Sequence, residues 1–301
     1  MEQRRGVVLG VVAYLLWGAF PLYWPLLQPA GAFEILAHRL IWSLVVMGVL
    51  VVALRRTRQY AALVRTPRKL GLLAVAGVTV TINWATYIWA VNDGRVVEAS
   101  LGYFINPLVT MLMGVVVLGE RLRRLQWVAL GVAAVAVAVL TLDYGRLPWI
   151  ALILAFSFGS YGLAKKQAGA GAFESLALET SIVAPFALVY VLVLGARGTG
   201  HFTADGAGHT LLFVSAGIVT AVPLICFGAA AVRVSMVTLG MMQYLTPILQ
   251  FGLGVFYDHE SMPAGRWIGF GIVWVALALF TWEAYTHRRS QLARAAEAAA
   301  V

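Results

Sequence analysis

Three ionisable residues open the second long apolar run of this 301-residue chain: Glu34, His38 and Arg39. Glu34 and His38 are four residues apart, so on a helix they share one face a turn apart. Charged groups inside an apolar run are costly, and they mark proton relays, gates or solute paths. A carboxylate and an imidazole at that spacing can pass a proton. Asp93 and Glu98, between the third and fourth runs, are available as partners. The trio is therefore read as a gating or proton-coupling group. The competing reading is structural pairing, with Arg39 only about 7 Å below the end of its run and able to extend its head group to the surface.

Two stripes of polar residues recur at helical spacing. Tyr103, Asn106 and Thr110 follow Ala99 on one face of the fourth run, and Gln243, Thr246 and Gln250 follow Leu239 on one face of the ninth. Pro107 and Pro247 each deny a hydrogen bond to the carbonyl four residues earlier, so both are read as helix kinks. The carbonyls of Tyr103 and Gln243 are thereby freed at mid-span, where they need a protein or water partner. Asn83 and Tyr87, with Thr79, lie on another face in the third run. Rings crowd the same levels: Trp17, Trp24, Trp84, Trp89, Phe104, Tyr161 and Tyr244. The stripes, with Asn83, Tyr87, Trp17 and Tyr161, are candidates to line a substrate cavity. Rings and amides suit an amphipathic solute, aromatic or cationic in part. The alternative is a pair of interhelical hydrogen-bond seams, and for any single ring a lipid-facing place. Trp127 and Trp267 stand at span starts, as interface anchors do.

The elements that must hold these residues are membrane spans. Hydrophobic residues make up 61% of the chain and charged ones 12%, about half the charged share of a soluble domain. Mean hydropathy is +0.85. Ten spans are expected, at about 7–27, 34–54, 70–91, 97–118, 125–142, 147–164, 174–194, 209–231, 234–256 and 266–285. A β-barrel would show shorter strands of alternating polarity. The first run resembles a signal peptide, but its length and its Pro21 and Pro25 favour a retained span. The net charge of +9 does not mark a nucleic-acid binder, because the basic residues sit in alternate loops. Cys226 is the lone cysteine and excludes an intramolecular disulfide. There is no Walker A sequence, metal-binding pair or activated nucleophile, so no catalytic residue, metal or cofactor is expected.

A repeat organises the chain. At an offset of 140 residues Pro107 maps to Pro247, Gly114 to Gly254, Glu120 to Glu260 and Trp127 to Trp267, and the GAFE of Gly31–Glu34 recurs at Gly171–Glu174. With the N-terminus inside, seventeen of the 22 Lys and Arg fall in inner segments, four in outer ones, and Arg39 inside a span. Both termini are then cytoplasmic. Five spans per copy is an odd number, so the second copy enters the membrane inverted, as in secondary transporters with a midplane site. The expected units are 1–143, an inverted 144–287, and an Ala-rich cytoplasmic tail at 288–301, disordered or a frayed helix. The Gly-rich loop 195–208 is expected to be flexible.

The stretches AYLLWGAFPLYWPLL, EILAHRLIWSL, INWATYIWAVNDGRVVEASLGYFINPLV and QYLTPILQFGLGVFYDHE span both halves. On them the chain resembles the EamA family of the drug/metabolite transporter superfamily, and within it the RarD-type permeases. The resemblance implies an all-α fold of ten transmembrane helices in two inverted five-helix bundles, in a bacterial cytoplasmic membrane. It implies permeation or efflux of a small organic solute, a metabolite or a chloramphenicol-like drug, by a monomer or a homodimer. One departure is Asp258-His259-Glu260, where the family has Gly-Glu, which suggests a looser turn. The rivals are a membrane-embedded enzyme on lipid-linked substrates and a structural or regulatory membrane protein.

Overall fold

The computed structural model describes residues 2–119, 121–231, 233–234 and 242–299. Glu120, Leu239 and the first part of the expected ninth span lie outside the described residues. All regular structure among the described residues is helical. In chain order it comprises α1 (Glu2–Gly18), two 3₁₀ turns (Phe20–Leu22 and Trp24–Leu27), α2 (Ala32–Ala53), α3 (Thr57–Val64), α4 (Pro67–Asn92) and α5 (Val96–Leu118). There follow α6 (Arg124–Tyr144), α7 (Trp149–Ala168), α8 (Ala172–Ala196), α9 (Gly206–Ala231), α10 (Leu245–Gly252), a π-helical turn (Leu253–Tyr257) and α11 (Ala264–Ala299).

Seven of these, α2, α4, α5, α6, α8, α9 and α11, are each long and apolar enough to cross a bilayer, and α1 with its bent continuation makes an eighth. In α7, Ser157, Ser160, Tyr161, Lys165 and Lys166 dilute the apolar character. The first expected span is not one straight helix. It bends by 41° after Gly18, because Pro21 and Pro25 cannot donate to the ladder and each instead starts a short 3₁₀ turn. Pro107 lies inside the continuous α5. Pro247, expected as a mid-span kink, stands instead in the first turn of α10, where its missing N–H has no ladder partner to lose. The alanine-rich tail continues α11 as helix to Ala299. The basic loop after α2 folds into α3, whose Leu63 packs against Leu73 and Leu178.

Helix starts recur near the repeat offset: Ala32 and Ala172, Pro67 and Gly206, Arg124 and Ala264. The packing follows the same exchange. α4 rests on α7 and α8 as α9 rests on α1 and α2, α5 packs on α7 as α10 packs on α1, and α6 pairs with α11. The halves are therefore interleaved, and not two separate bundles. Two close approaches of backbone make this possible. A Cβ on Gly217 of α9 would lie 2.5 Å from the Trp42 carbonyl oxygen, and one on Gly102 of α5 would lie 2.8 Å from that of Ala151. Small residues at helix interfaces in membranes serve this purpose.

The turn after the π-helical segment keeps the conformation of its repeat counterpart. Gly119 closes α5 with φ of 68°, and His259, at the equivalent position, has φ of 52°. The turn is thus not loosened by the absence of a glycine. The histidine itself takes the left-handed conformation, which non-glycine residues adopt only occasionally.

Candidate functional site

The three residues of the expected trio at the start of α2 each have their own hydrogen-bond or ring partners. Glu34 is buried, and its carboxylate accepts bonds from the His201 backbone N–H at 2.6 Å and from its ring Nδ1 at 2.9 Å. His38 stacks on Phe202, with ring centroids 4.5 Å apart, and leans on Phe213. The segment after α8, expected to be a flexible loop, is therefore packed down by its His201 and Phe202. Asp93 pairs with Arg95 and Glu98 with Arg146, so neither is a partner of the trio.

The Glu34 contact has a counterpart in the other half. Glu174, at the repeat-equivalent place in the first turn of α8, is buried and pairs with Arg56 at 3.1 Å. Each glutamate at the start of α2 or α8 thus ties down the segment that follows the other helix. This symmetry gives both glutamates a structural part that the sequence reading had assigned only as an alternative for Glu34.

Arg39 does not reach a surface. It is 3% exposed, and its guanidinium lies over Trp84 at 3.9 Å, Trp24 at 4.9 Å and Phe20 at 5.6 Å. Its Nε donates to Thr220 Oγ1 of α9 at 3.0 Å. Cation–π contacts are worth about 0.5–2 kcal/mol each, against several kcal/mol for an ion buried without a counter-ion. Its repeat counterpart at the offset of 140 is Glu179 on α8. That carboxylate is also buried, but Lys165 of α7 pairs with it at 3.1 Å. The same lysine donates to Tyr161 Oη at 2.9 Å, which gives the candidate Tyr161 a partner.

The two polar stripes meet on α4. From one side Tyr103 Oη donates to Asn83 Oδ1 at 3.1 Å, and Asn83 Nδ2 donates in turn to the Leu154 carbonyl at 2.9 Å and to Ser157 Oγ at 3.1 Å. From the other side Gln250 Nε2 donates to Tyr87 Oη at 2.8 Å. Asn83 and Tyr87 are four residues apart on one face, and the Tyr87 and Tyr103 rings meet edge to face at 5.7 Å. Thr246 is a seam residue and not a cavity one: it donates to the Tyr14 carbonyl at 2.8 Å and holds α10 against α1. Gln250 also reaches the Trp17 carbonyl, at 3.3 Å. Trp17 itself packs on Tyr14 and Phe227. Asn106 and Gln243 are half-buried and Thr110 is exposed, its hydroxyl 3.5 Å from Asn106 Oδ1. Trp127 and Trp267 are largely exposed, as interface residues would be.

Sequence reasoning missed His201, Arg56, Lys165 and Glu179. Glu179 was within reach, because a carboxylate in an apolar run is itself a signal. The others sit in loops or at helix ends, and only three-dimensional packing brings them to their partners.

At the end of the bundle where α5 begins, a polar cavity of about 370 Å³ is lined by Arg95, Glu98, Tyr144, Arg146, Glu260 and Arg266, among others. Arg146 grips Glu98 through both terminal nitrogens. Glu260 Oε1 accepts the Val97 backbone N–H at 3.0 Å, capping the first turn of α5 from the opposite half. Desolvation outweighs these backbone bonds and pushes its carboxyl up to about 7. A carboxyl raised in the folded state binds a proton that the unfolded chain releases, so its stabilisation is full below pH 4.5 and is lost as pH rises through about 7. The unfolding midpoint in detergent should therefore fall over this window, and Glu260→Gln should remove that part of the slope. An unaltered slope in the variant would assign it to other groups.

Long apolar helices that carry their ionised and amide groups inward define a multi-pass helical membrane protein. Residues 4–142 match the EamA-like transporter family. Protein RarD of Streptomyces exfoliatus is 57% identical over 298 residues, covering 99% of this chain and 95% of its own. Protein RarD of Escherichia coli (strain K12) is 44% identical over 290 residues, covering 96% and 98%. The chain belongs to this family of EamA-like membrane transporters. A crystal structure 18% identical in sequence aligns over 93% of this chain and 98% of its own with a TM-score of 0.60, and so shares the fold.

Proposed function

We propose that the chain is a secondary transporter that moves a small organic solute, a metabolite or drug-like molecule, across the bacterial cytoplasmic membrane. In this reading ten spans form two inverted five-helix units, 1–143 and 144–287, with both termini cytoplasmic, and access alternates around a midplane site. The observation that carries it is the convergence on α4: Tyr103 from one half and Gln250 from the other bond to Asn83 and Tyr87, one turn apart. Half-open Asn106 and Gln243 extend the two stripes from that point. The exchange of neighbours between the halves supports the repeat.

The test is chemical access. Cysteines at Asn106 and Gln243, in a Cys226→Ala background, should react with small polar thiol reagents, and transported solute should slow the reaction. A cysteine at Val109, which is buried, should resist labelling. Asn106→Leu should reduce transport at least about tenfold while leaving the protein folded, because single interhelical polar bonds in membranes average only about 0.6 kcal/mol. Normal transport by that variant, with neither cysteine labelled in any condition, would move the site elsewhere.

A further inference from the structure

Among the described residues each buried carboxylate has a side-chain partner: Glu98 has Arg146, Glu174 has Arg56, Glu179 has Lys165 and Glu283 has Arg123, while Glu34 is hydrogen-bonded by His201. Arg39 has no carboxylate. Its electrostatic neighbours are the hydroxyls of Tyr23, Tyr87 and Tyr103, and among the described residues its hydrogen-bond partner is Thr220, through Nε. A guanidinium stays charged in proteins, so burial cannot be relieved by loss of its proton. The indole N–H of Trp24, one of the rings beneath it, is buried without a partner among the described residues. A permanent cation without a counter-ion and an indole N–H without a partner thus stand among aromatic rings, at the point where Tyr87 and Tyr103 lead to the polar stripes.

We propose that Arg39 in its ring of Phe20, Trp24 and Trp84 recognises the anionic group of the solute, so that the substrate class is an organic anion with an aromatic or apolar body. This rests on the transporter reading above. A carboxylate can accept two N–H bonds from a guanidinium in a matched planar fork, and it supplies the missing counter-charge. The flat rings of the cage would cover the apolar body. The repeat makes the asymmetry specific: the equivalent position in the other half holds Glu179, already neutralised by Lys165, so one end of the pseudo-symmetric site is left cationic.

The test uses the full-length chain in detergent and three probes that share a ring and differ in charge: phenylacetate, phenylacetamide and phenethylamine. Ligand binding to the folded state raises the unfolding midpoint. Millimolar phenylacetate should raise it saturably, and the neutral and cationic probes should not. Arg39→Gln should weaken phenylacetate at least about tenfold, and Arg39→Lys, which keeps the charge, should recover part of that loss. Equal shifts from the amide or the amine, no shift from any probe, or full phenylacetate binding by Arg39→Gln would each overturn the inference. If Arg39→Gln fails to fold, the three-probe comparison on the unaltered chain decides alone. Proteoliposomes separate this failure from that of the transporter reading. Uptake of labelled phenethylamine or phenylacetamide without phenylacetate binding would keep transport and discard the anion.

Discussion

Gly217→Ala is expected to lower the stability of the bundle by about 1–3 kcal/mol, the usual cost of overpacking a tight contact. The new Cβ would meet the Trp42 carbonyl oxygen at 2.5 Å and its carbon at 2.6 Å. Both are backbone atoms of α2 and cannot rotate away, so α9 must move outward. Three residues before Trp42, Arg39 bonds to Thr220 of the same α9, and the displacement should loosen that contact too. Solute transport should therefore fall along with the unfolding midpoint. Gly217→Leu should yield no correctly packed protein. Gly271→Ala is the control, since nothing lies within 4 Å of a Cβ there. The measurement is thermal unfolding of the detergent-solubilised protein. A midpoint for Gly217→Ala equal to that of Gly271→Ala would refute the close approach.

Lys165→Met should be more damaging, for an electrostatic reason. It leaves the Glu179 carboxylate, 1% exposed, without the ammonium that now lies 3.1 Å away. Breaking one side of a buried pair costs about 3–5 kcal/mol, chiefly from the uncompensated charge. Adding Glu179→Gln to the same chain removes that charge and should recover most of the loss. The rescue is the diagnostic part of the cycle. A double variant no more stable than Lys165→Met would mean that the lysine acts through Tyr161, which it also holds, and not through the carboxylate.

Much of the fold was legible because it is written in periodicity. Apolar length marked most of the spans, and the starts of α8 and α11 follow those of α2 and α6 by the same 140 residues that the motifs show. Local backbone chemistry was only partly legible. Pro107 and Pro247 are read as kinks, and the bend at Pro21 and Pro25 is not expected; whether a proline kinks a helix or starts one depends on where the helix begins. At the candidate site the stripes included Tyr103 of α5 and Gln250 of α10, which bond to α4. What they could not give was the arbiter, α4, on which Asn83 and Tyr87 receive one stripe each. The fate of the charged trio was not legible either. Helical spacing placed Glu34 beside His38, yet His201, 167 residues away, holds the carboxylate. Partners at that distance are chosen by tertiary packing, of which a single sequence keeps no local trace.

The interleaving of the halves has a consequence for biosynthesis. Among the described residues the extensive helix interfaces join an element of the first half to one of the second, and contacts within either half are slighter. A growing chain therefore completes α1 to α6 with its main contact faces bare. Asn83 must wait for Leu154 and Ser157, and Arg39 for Thr220. The first half should behave as an assembly intermediate, held by the insertion machinery until its complement arrives. Two half-chains made separately in one cell, cut between α6 and α7, should find each other and restore the whole, whereas either half alone should be degraded.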